Sequence, residues 1–414
     1  MGKFIKSLMF LAFILPFTLY SQSNLKYAEY YNTINQAELR VVDLNFKEAY
    51  NTYKQVFPTF EKRHLQDLYN ATLCAIHIGE YRQAEAWINE MITKGAELTQ
   101  FNTKTFKMLP DTVWFRIKQN YNLLRGLCIA RVDTSYKAKL NILREQEQLY
   151  LVNKRSQESY DSLVYEHAKV LYALISEHGL SPVPIFERAP LPIDVMRHHF
   201  GLRNRLRFPQ ENGIDLDAEP YRSMNFAQYD LEPLLRQAVF SGDLTPGFLG
   251  HAMDHGELDP NRKISGFVLY VDLNTRTVTH DSISEEKLNR IDLYRESIGL
   301  ESTRDAAKKD IEVALFYNQE TFPFDEFIRK YKEIGYTKKA FDSIKFGSAE
   351  FDSLSMKAAS VLFDTKQAFY KTNTFKMDSK LDDKTVTFEN KWEILKEFRF
   401  NQTIAYKAVI PLKK

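Results

Sequence analysis

Residues 45–49 read Asn-Phe-Lys-Glu-Ala, and residues 80–84, thirty-five positions further on, read Glu-Tyr-Arg-Gln-Ala. Both stretches lead into an apolar ridge at helical spacing. The ridge residues are Tyr53 and Val56 in the first copy and Ile88 and Met91 in the second. A period near 34 residues is typical of helix–turn–helix repeats. The sequence therefore predicts paired helices, and residues 25–180 as a whole show almost no Gly or Pro inside the helical patterns.

The repeated stretches resemble the tetratricopeptide repeat. Gly79 resembles the turn residue between that family's paired helices, and Ala84 resembles the small residue where the second helix packs on the first. The preceding helix supplies the small residues Ala71, Thr72 and Ala75. Leu44 departs from the pattern, because it stands where the first copy would have its turn glycine. A different all-helical array is the alternative.

A looser third copy runs from about residue 114 to 143, with Gly126 and Ala130 as its small residues. The resemblance then covers about residues 25–145. It implies an α-solenoid, whose concave surface holds a helix or an extended peptide of a partner protein. Cys74 and Cys128 lie in apolar helical patterns and are expected to be buried free thiols rather than a disulfide.

The first 22 residues have the pattern of a signal peptide. Lys3 and Lys6 form a positive region, and residues 7–20 are uncharged and mostly apolar. This stretch is short for a membrane span, and Pro16 interrupts it as a helix. We expect a cleaved signal peptide and a periplasmic or extracellular protein, with an uncleaved anchor as the alternative. After cleavage no stable membrane insertion is expected.

The 414 residues are enough for two or three domains. We predict a tetratricopeptide-like helical domain over 23–180, a Pro-rich linker over 181–192, an α+β domain over 193–310 and a mostly helical extension over 311–414. The α+β assignment depends on two β-like runs, 266–271 and 276–280, which predict a small β-hairpin. The expected fold class is mainly α: an N-terminal tetratricopeptide-like α-solenoid, followed by an α+β region with that hairpin.

The middle region, about residues 193–310, weakly resembles a widespread bacterial family of unknown function. The shared residues are 231–238, Gly242 to Leu244, Ala252 to Asp254, and Glu285 through Leu300 with Arg295. That family usually has Asp-Arg where this chain has Asp254-His255. The resemblance brings no activity with it.

His251 and His255 are the candidate metal ligands. At i and i+4 on a helix they would lie on one face, the spacing that clasps a zinc ion. Asp254 or Glu257 would then serve as the base of a metal-dependent hydrolase, with a third ligand from Glu257, Asp259, His198 or His199. A structural role at a helix end is the alternative. No cofactor other than this zinc is expected.

Residues 197–207 contain four arginines and two histidines. Arg197, Arg203, Arg205 and Arg207 are the candidate anion-binding residues, because guanidinium groups bind oxyanions in a bidentate manner. The alternative is neutralisation by Glu211, Asp215, Asp217 and Glu219, which follow closely in the sequence.

The sequence favours a non-enzymatic protein-interaction or scaffold protein of the cell envelope that uses a helical-repeat groove. Its expected partner is a protein or peptide in the envelope. Nucleic acid is not expected, since the formal net charge is only +2. The alternatives are the metal-dependent hydrolase around His251, Asp254 and His255, and an anionic-ligand module at residues 197–207.

Overall fold

Helices dominate the part of the chain that a computed structural model describes. The described residues are 27–152, 156–180, 192–257, 259, 263–264, 268–272, 277–280, 284–309, 333, 374–377, 385–387, 395, 397–400 and 405–409. The α-helices are α1 (27–42), α2 (Phe46–Val56), α3 (Leu65–His77), α4 (Tyr81–Thr93), α5 (Asp111–Arg131), α6 (Thr134–Val152), α7 (Gln157–His178), α8 (Pro192–Arg207), α9 (Glu232–Phe240), α10 (Pro246–Asp254), α11 (Glu285–Glu296) and α12 (303–309). Short 3-10 helices cover Phe57–Thr59, Leu98–Phe101, Phe106–Met108, Tyr221–Ser223 and Phe226–Tyr229. Among these helices, none combines the length and the apolar character that crossing a membrane requires.

The chain divides into two compact units. The helical unit comprises the described residues within Met1–Gly266, Glu285–Asp305 and Phe398–Thr403, and the sheet unit comprises those within Phe267–Ser284, Ala306–Glu397 and Ile404–Lys414. Within the helical unit, α2, α3, α4 and α5 pack on one another in chain order.

The turns of the first two helical hairpins have the same backbone geometry. Leu44 has a φ of 58° and Gly79 a φ of 80°, so both are left-handed. The N–H of Asn45 donates to the carbonyl of Arg40 at 2.9 Å, and the N–H of Glu80 donates to the carbonyl of Ala75 at 2.8 Å. This pattern ends a helix by satisfying its last carbonyls. Leu44 therefore adopts the conformation that glycine adopts in the second copy.

The small residues and the ridge residues of the first two copies are buried. Ala71, Thr72, Ala75 and Ala84 are completely buried, as are the ridge residues Tyr53, Ile88 and Met91. Gly126 and Ala130, the small residues of the looser third copy, are exposed. Cys74 and Cys128 are free and buried, which confirms the expectation for both thiols.

Helix α1 also packs against the middle region of the sequence. The Tyr31 hydroxyl donates to the carbonyl of Val239 at 2.5 Å and approaches the carbonyl of Leu244 at 3.2 Å. The Tyr27 ring lies where Gly242 has no side chain, since a Cβ there would come within 2.2 Å of the ring. Gly242 has a φ of 75°, so a larger residue is disfavoured twice over.

Two side chains of the middle region hold the peptide groups on either side of Ile264. Asp254 accepts the N–H of Ile264 at 3.0 Å. Arg295, which is completely buried, donates to the carbonyl of the same Ile264 and to the carbonyl of Glu301. Asp254 and Arg295 therefore fix the position of Ile264.

The sheet unit contains five described strands in the order β4-β3-β2-β1-β5. They are β1 (Val268–Asp272), β2 (Thr277–His280), β3 (Thr374–Met377), β4 (Thr385–Thr387) and β5 (Ala405–Val409). β1 pairs antiparallel with β2 and parallel with β5, whereas β2 pairs parallel with β3. β3 pairs antiparallel with β4.

The predicted fold class, an α-solenoid followed by an α+β region with a small β-hairpin, is wrong. The helices of the middle region, α8 to α11, belong with the N-terminal helices in a unit whose described residues contain no strand. The two β-like runs belong instead to the other unit, where they bond to strands from beyond residue 370. The physical reason is that α1 buries its tyrosines against the α9–α10 segment, a contact that hydrophobic periodicity does not reveal.

Several predictions concern residues outside the described part. These are the signal peptide over 1–22, the Pro-rich linker apart from residue 192, and most of the C-terminal extension over 311–414. They stay predictions.

Replacing Gly79 by alanine should lower the free energy of unfolding by roughly 1 kcal/mol, because only the left-handed φ opposes the new methyl group. A Cβ at Gly79 would meet nothing within 4 Å. Gly126→Ala is the matched control, since Gly126 also has open space but lies inside α5. It should instead stabilise by roughly 0.5–1 kcal/mol. Urea denaturation measures the change in the free energy of unfolding for each variant. Changes of the same sign in both would contradict the assignment of strain to the turn.

His64 should make the protein less stable in mild acid. Burial, aided by the charge of Lys94, lowers the pKa of His64 from 6.5 to about 4. The folded state therefore binds this proton less tightly than the unfolded state does. The contribution of neutral His64 to the free energy of unfolding is fully present above pH 6.5. It falls by about 3 kcal/mol as the pH drops towards 4.

Denaturation of wild type and His64→Gln across this pH range tests the point. The variant should lose that part of the pH dependence, whereas His178→Gln, at an exposed histidine, should keep it. Identical profiles for wild type and His64→Gln would show that His64 is not the group responsible.

Candidate functional site

Helix α8 carries the arginines that the sequence singles out, and three of the four form ion pairs. Arg203 Nη1 lies 2.6 Å from Glu232 Oε2, and Arg207 Nη1 lies 2.9 Å from Glu257 Oε2. Arg205 donates to the completely buried Asp161. The exposed Arg197 has no ion-pair partner in the described part of the chain. The four arginines therefore do not form one anion clamp.

The carboxylates that neutralise these arginines are not the ones expected from sequence proximity. Asp161 comes from α7, Glu232 from α9 and Glu257 from the segment after α10. Asp230, just before α9, also contacts Arg203, at 3.3 Å. Glu211, Asp215, Asp217 and Glu219 make none of the described ion pairs with the four arginines. The neutralising carboxylates are therefore remote in the sequence rather than neighbours of the arginines.

A buried carboxylate holds two histidines beside α8. Glu147, on α6, accepts from His167 Nδ1 at 3.0 Å and from His198 Nδ1 at 2.6 Å. His167 also contacts Gln146 Oε1 through Nε2, at 2.9 Å. Burial alone would raise the pKa of Glu147, but the hydrogen bonds and charges of His167 and His198 outweigh it and hold that pKa below its usual value. His198 is thus fixed through Nδ1, and its Nε2 is not part of this bond.

The proposed zinc pair, His251 and His255, does not have helical i, i+4 geometry. Helix α10 ends at Asp254, and His255 is extended, with φ −66° and ψ 115°. The His255 ring lies 6.3 Å from the His198 ring, whereas His199 is buried and stacks on Phe226. In the described residues, no three or more His, Cys, Asp or Glu side chains are grouped to hold a metal ion.

The candidate bases of the hydrolase hypothesis have structural bonds. Asp254 accepts the N–H of Ile264, and burial raises the pKa of its carboxyl group. Glu257 pairs with Arg207 and accepts the N–H of Asp259 at 3.0 Å. Both carboxylates therefore contribute to the fold of the segment that carries His255.

A separate, open groove lies between α1, α2 and α11, with a volume of about 1070 Å³. Five carboxylates line it: Glu29, Asp292, Glu296, Glu301 and Asp305. Among the described lining residues Arg40 is the one cationic side chain, and it bonds to Thr52 Oγ1 at 2.5 Å. Leu293, which is 66% exposed, adds an apolar patch. The groove is therefore acidic with a small apolar area.

Asn35 adds a buried acceptor to the wall of this groove. Its Nδ2 donates to Asp305 Oδ2 at 2.9 Å, whereas its Oδ1 is buried without a hydrogen-bond partner. The side chain is more than nine-tenths buried. A buried acceptor without a donor costs about 1–3 kcal/mol. The groove thus has carboxylates at its surface and an unsatisfied amide oxygen in its wall.

Helix α3 contacts a segment near the end of the chain, residues 398–400, that has no regular secondary structure. Asn70 donates through Nδ2 to the carbonyl of Arg399 at 2.6 Å and accepts the Arg399 N–H at 2.8 Å. The Arg399 guanidinium lies 3.9 Å from the centre of the Tyr69 ring. Phe398 stacks on Phe46, with ring centres 5.7 Å apart. Asn70 therefore binds backbone, and its aromatic neighbours contact side chains.

No known protein family, curated protein or solved structure matches this chain. Sequence reasoning missed Glu147, Asn35, Asn70 and the acidic groove. A buried asparagine or glutamate in a helix has no spacing signal of its own. Only the high density of acidic residues around 285–305 was visible, and it is ordinary for helix surfaces.

Replacing Glu147 by alanine should lower the free energy of unfolding by about 3 kcal/mol, because two imidazole N–H groups lose their acceptor inside the protein. Urea denaturation measures the change. Glu145→Ala, at an exposed neighbour on α6, should stay within about 0.5 kcal/mol of wild type. Equal effects in both variants would mean that the Glu147 contacts contribute nothing.

Proposed function

We propose that this chain is an exported, non-enzymatic interaction protein of the cell envelope, and that its groove between α1, α2 and α11 binds a cationic segment of a protein partner. The observation that carries the proposal is the lining of the groove, with five carboxylates against one arginine. Such a surface attracts lysine and arginine side chains and repels acidic ones.

Two of the carboxylates are placed to meet a ligand first. Glu29 and Glu296 are exposed and make no ion pair within the described part of the chain. Asp292 and Asp305 are already engaged, since Asp292 accepts the N–H of Thr303 at 2.7 Å and Asp305 accepts from Asn35. Glu29 and Glu296 therefore supply the attraction.

The carboxylates of the lining favour a ligand that brings both positive charge and N–H groups. Lysine and arginine side chains have both, and a charge-assisted hydrogen bond to a carboxylate is stronger than a neutral one. A small anion has neither the positive charge nor the N–H donors that suit this wall. A cationic peptide has both.

The dimensions of the groove suit a peptide. Its volume of about 1070 Å³ lies just above the range of about 300–1,000 Å³ for small-molecule pockets. It is also open, so a chain can enter and leave at its ends. Leu293 offers a contact for one apolar side chain.

The way α3 holds residues 398–400 supports the scaffold part of the proposal. There the helical unit holds a non-helical segment through its backbone and through aromatic stacking. Export is supported by Lys3, Lys6 and the apolar stretch that follows them.

Fluorescence anisotropy with a labelled Ser-Lys-Lys-Leu-Lys-Lys-Ser peptide tests the groove. Wild type should bind this peptide, and the affinity should fall with added salt because exposed charges are screened. The same peptide with glutamate for lysine should not bind. Glu29→Lys with Glu296→Lys should weaken binding roughly tenfold, or about 1.4 kcal/mol.

The matched control is Glu145→Lys with Glu211→Lys, which makes the same charge change at exposed positions outside the groove. This control should bind as wild type does. Equal weakening in both double variants would mean that only net charge matters, and the groove would then be rejected as the binding site.

A further inference from the structure

Helix α5 has apolar residues on two opposite sides. The buried residues are Val113, Ile117 and Cys128. Four large apolar side chains on the other side are between 45% and 68% exposed, namely Phe115, Leu123, Leu127 and Ile129. At about 100° per residue, these four fall within an arc of about 160°. A helix that is apolar on both sides is normally covered on both.

The exposed side of α5 lies at the end of a stack of helices. Helices α2, α3, α4 and α5 pack on one another in chain order, whereas the next helix, α6, packs on α7 and α8. Arrays of stacked helices need a polar outer face where they meet water. Helix α5 presents large apolar side chains there instead. This side of α5 is therefore suited to contact with another helix.

Two small residues lie among the exposed apolar ones. Gly126 and Ala130 are exposed and about one helical turn apart. A Cβ at Gly126 would meet nothing within 4 Å. The two residues leave a hollow in which a large side chain of another helix can approach the backbone of α5 closely. Phe115, towards the other end of the same side, is such a side chain, so one helix carries both the projection and the hollow that fits it.

The middle of this side is uncharged. Its exposed polar residues are Thr112, Gln119 and Asn122. The charged residues Arg116 and Lys118 lie near the two margins, and Arg116 Nη2 is 2.6 Å from Glu85 Oε2. A second copy of α5 therefore meets no like charge at the centre of the contact. An acidic or basic partner would gain no charge pairing there.

We propose that two copies of this chain form a two-fold symmetric dimer in which α5 of one copy packs antiparallel on α5 of the other. A dyad near Asn122 places Phe115 of each copy against Gly126 and Ala130 of its partner. The interface is then self-complementary, because the same projection and the same hollow are used twice. The surface is separate from the acidic groove, and the dimer does not depend on the function proposed for that groove.

The size of the contact sets the strength of the dimer. Helix α5 has 21 residues and is therefore about 30 Å long. One such helix pair buries less than the roughly 1,600 Å² of a standard interface. The dimer should accordingly be reversible, with a Kd on the order of 10 μM.

Sedimentation velocity of wild type from about 1 to 100 μM tests the dimer, since this range brackets the expected Kd. The sedimentation coefficient should rise from the monomer value towards the dimer value. Phe115→Glu with Leu123→Glu should raise the Kd at least about a hundredfold, because carboxylates would be buried in an apolar contact. Both residues are exposed, so the urea midpoint of this variant at low concentration should equal that of wild type.

The matched control is Ile142→Glu with Leu149→Glu, which makes the same kind of change at exposed apolar positions of α6. This control should dimerise as wild type does. A wild type that stays monomeric throughout, or an equal loss of the dimer in both double variants, would overturn the proposal.

Thiol cross-linking tests the antiparallel arrangement. A short bismaleimide should link Asn122→Cys to itself, because the dyad brings this residue of both copies together. Thr112→Cys should not be linked, since the two copies of residue 112 would be about 30 Å apart. Cys74 and Cys128 are buried, so wild type is the unlinked control. Linkage through residue 112, or through neither position, would exclude this packing of α5.

Discussion

The hydroxyl of Tyr31 joins three distant parts of the helical unit. It donates to the carbonyl of Val239, approaches the carbonyl of Leu244, and lies 3.3 Å from His64 Nε2, while its ring stacks on the His64 ring. A buried phenol must find such partners, because an unpaired hydroxyl in the interior is costly. Helix α1 is thereby fixed against α3 and the α9–α10 segment. The acidic groove depends on this contact, since α1 forms one of its walls.

The repeat in the first hundred residues was visible in the sequence because local chemistry dictates it. The small residues, the apolar ridges and the glycine turn each follow from one helix packing on the next. The structure adds that Leu44 repeats the conformation of Gly79 despite its side chain. The departure from the pattern at that position is therefore one of residue type rather than of backbone.

Most of the candidate sites could not be predicted, because their partners are remote in the sequence. Glu147 and His198 are 51 residues apart. Arg205 and Asp161 are 44 apart. The arginine-rich string lies on α8, yet the string itself does not reveal which of its side chains are neutralised. Arg197 is the exception, because it takes part in none of the ion pairs of the described residues.

The contact between Asn70 and Arg399 spans 329 positions. Phe398, next to Arg399, likewise stacks on Phe46 and His77. Chains grow from the N-terminus at about 5–20 residues per second, so these contacts can form only tens of seconds after the early helices have been synthesised. The helical unit is therefore complete only when almost the whole chain is available.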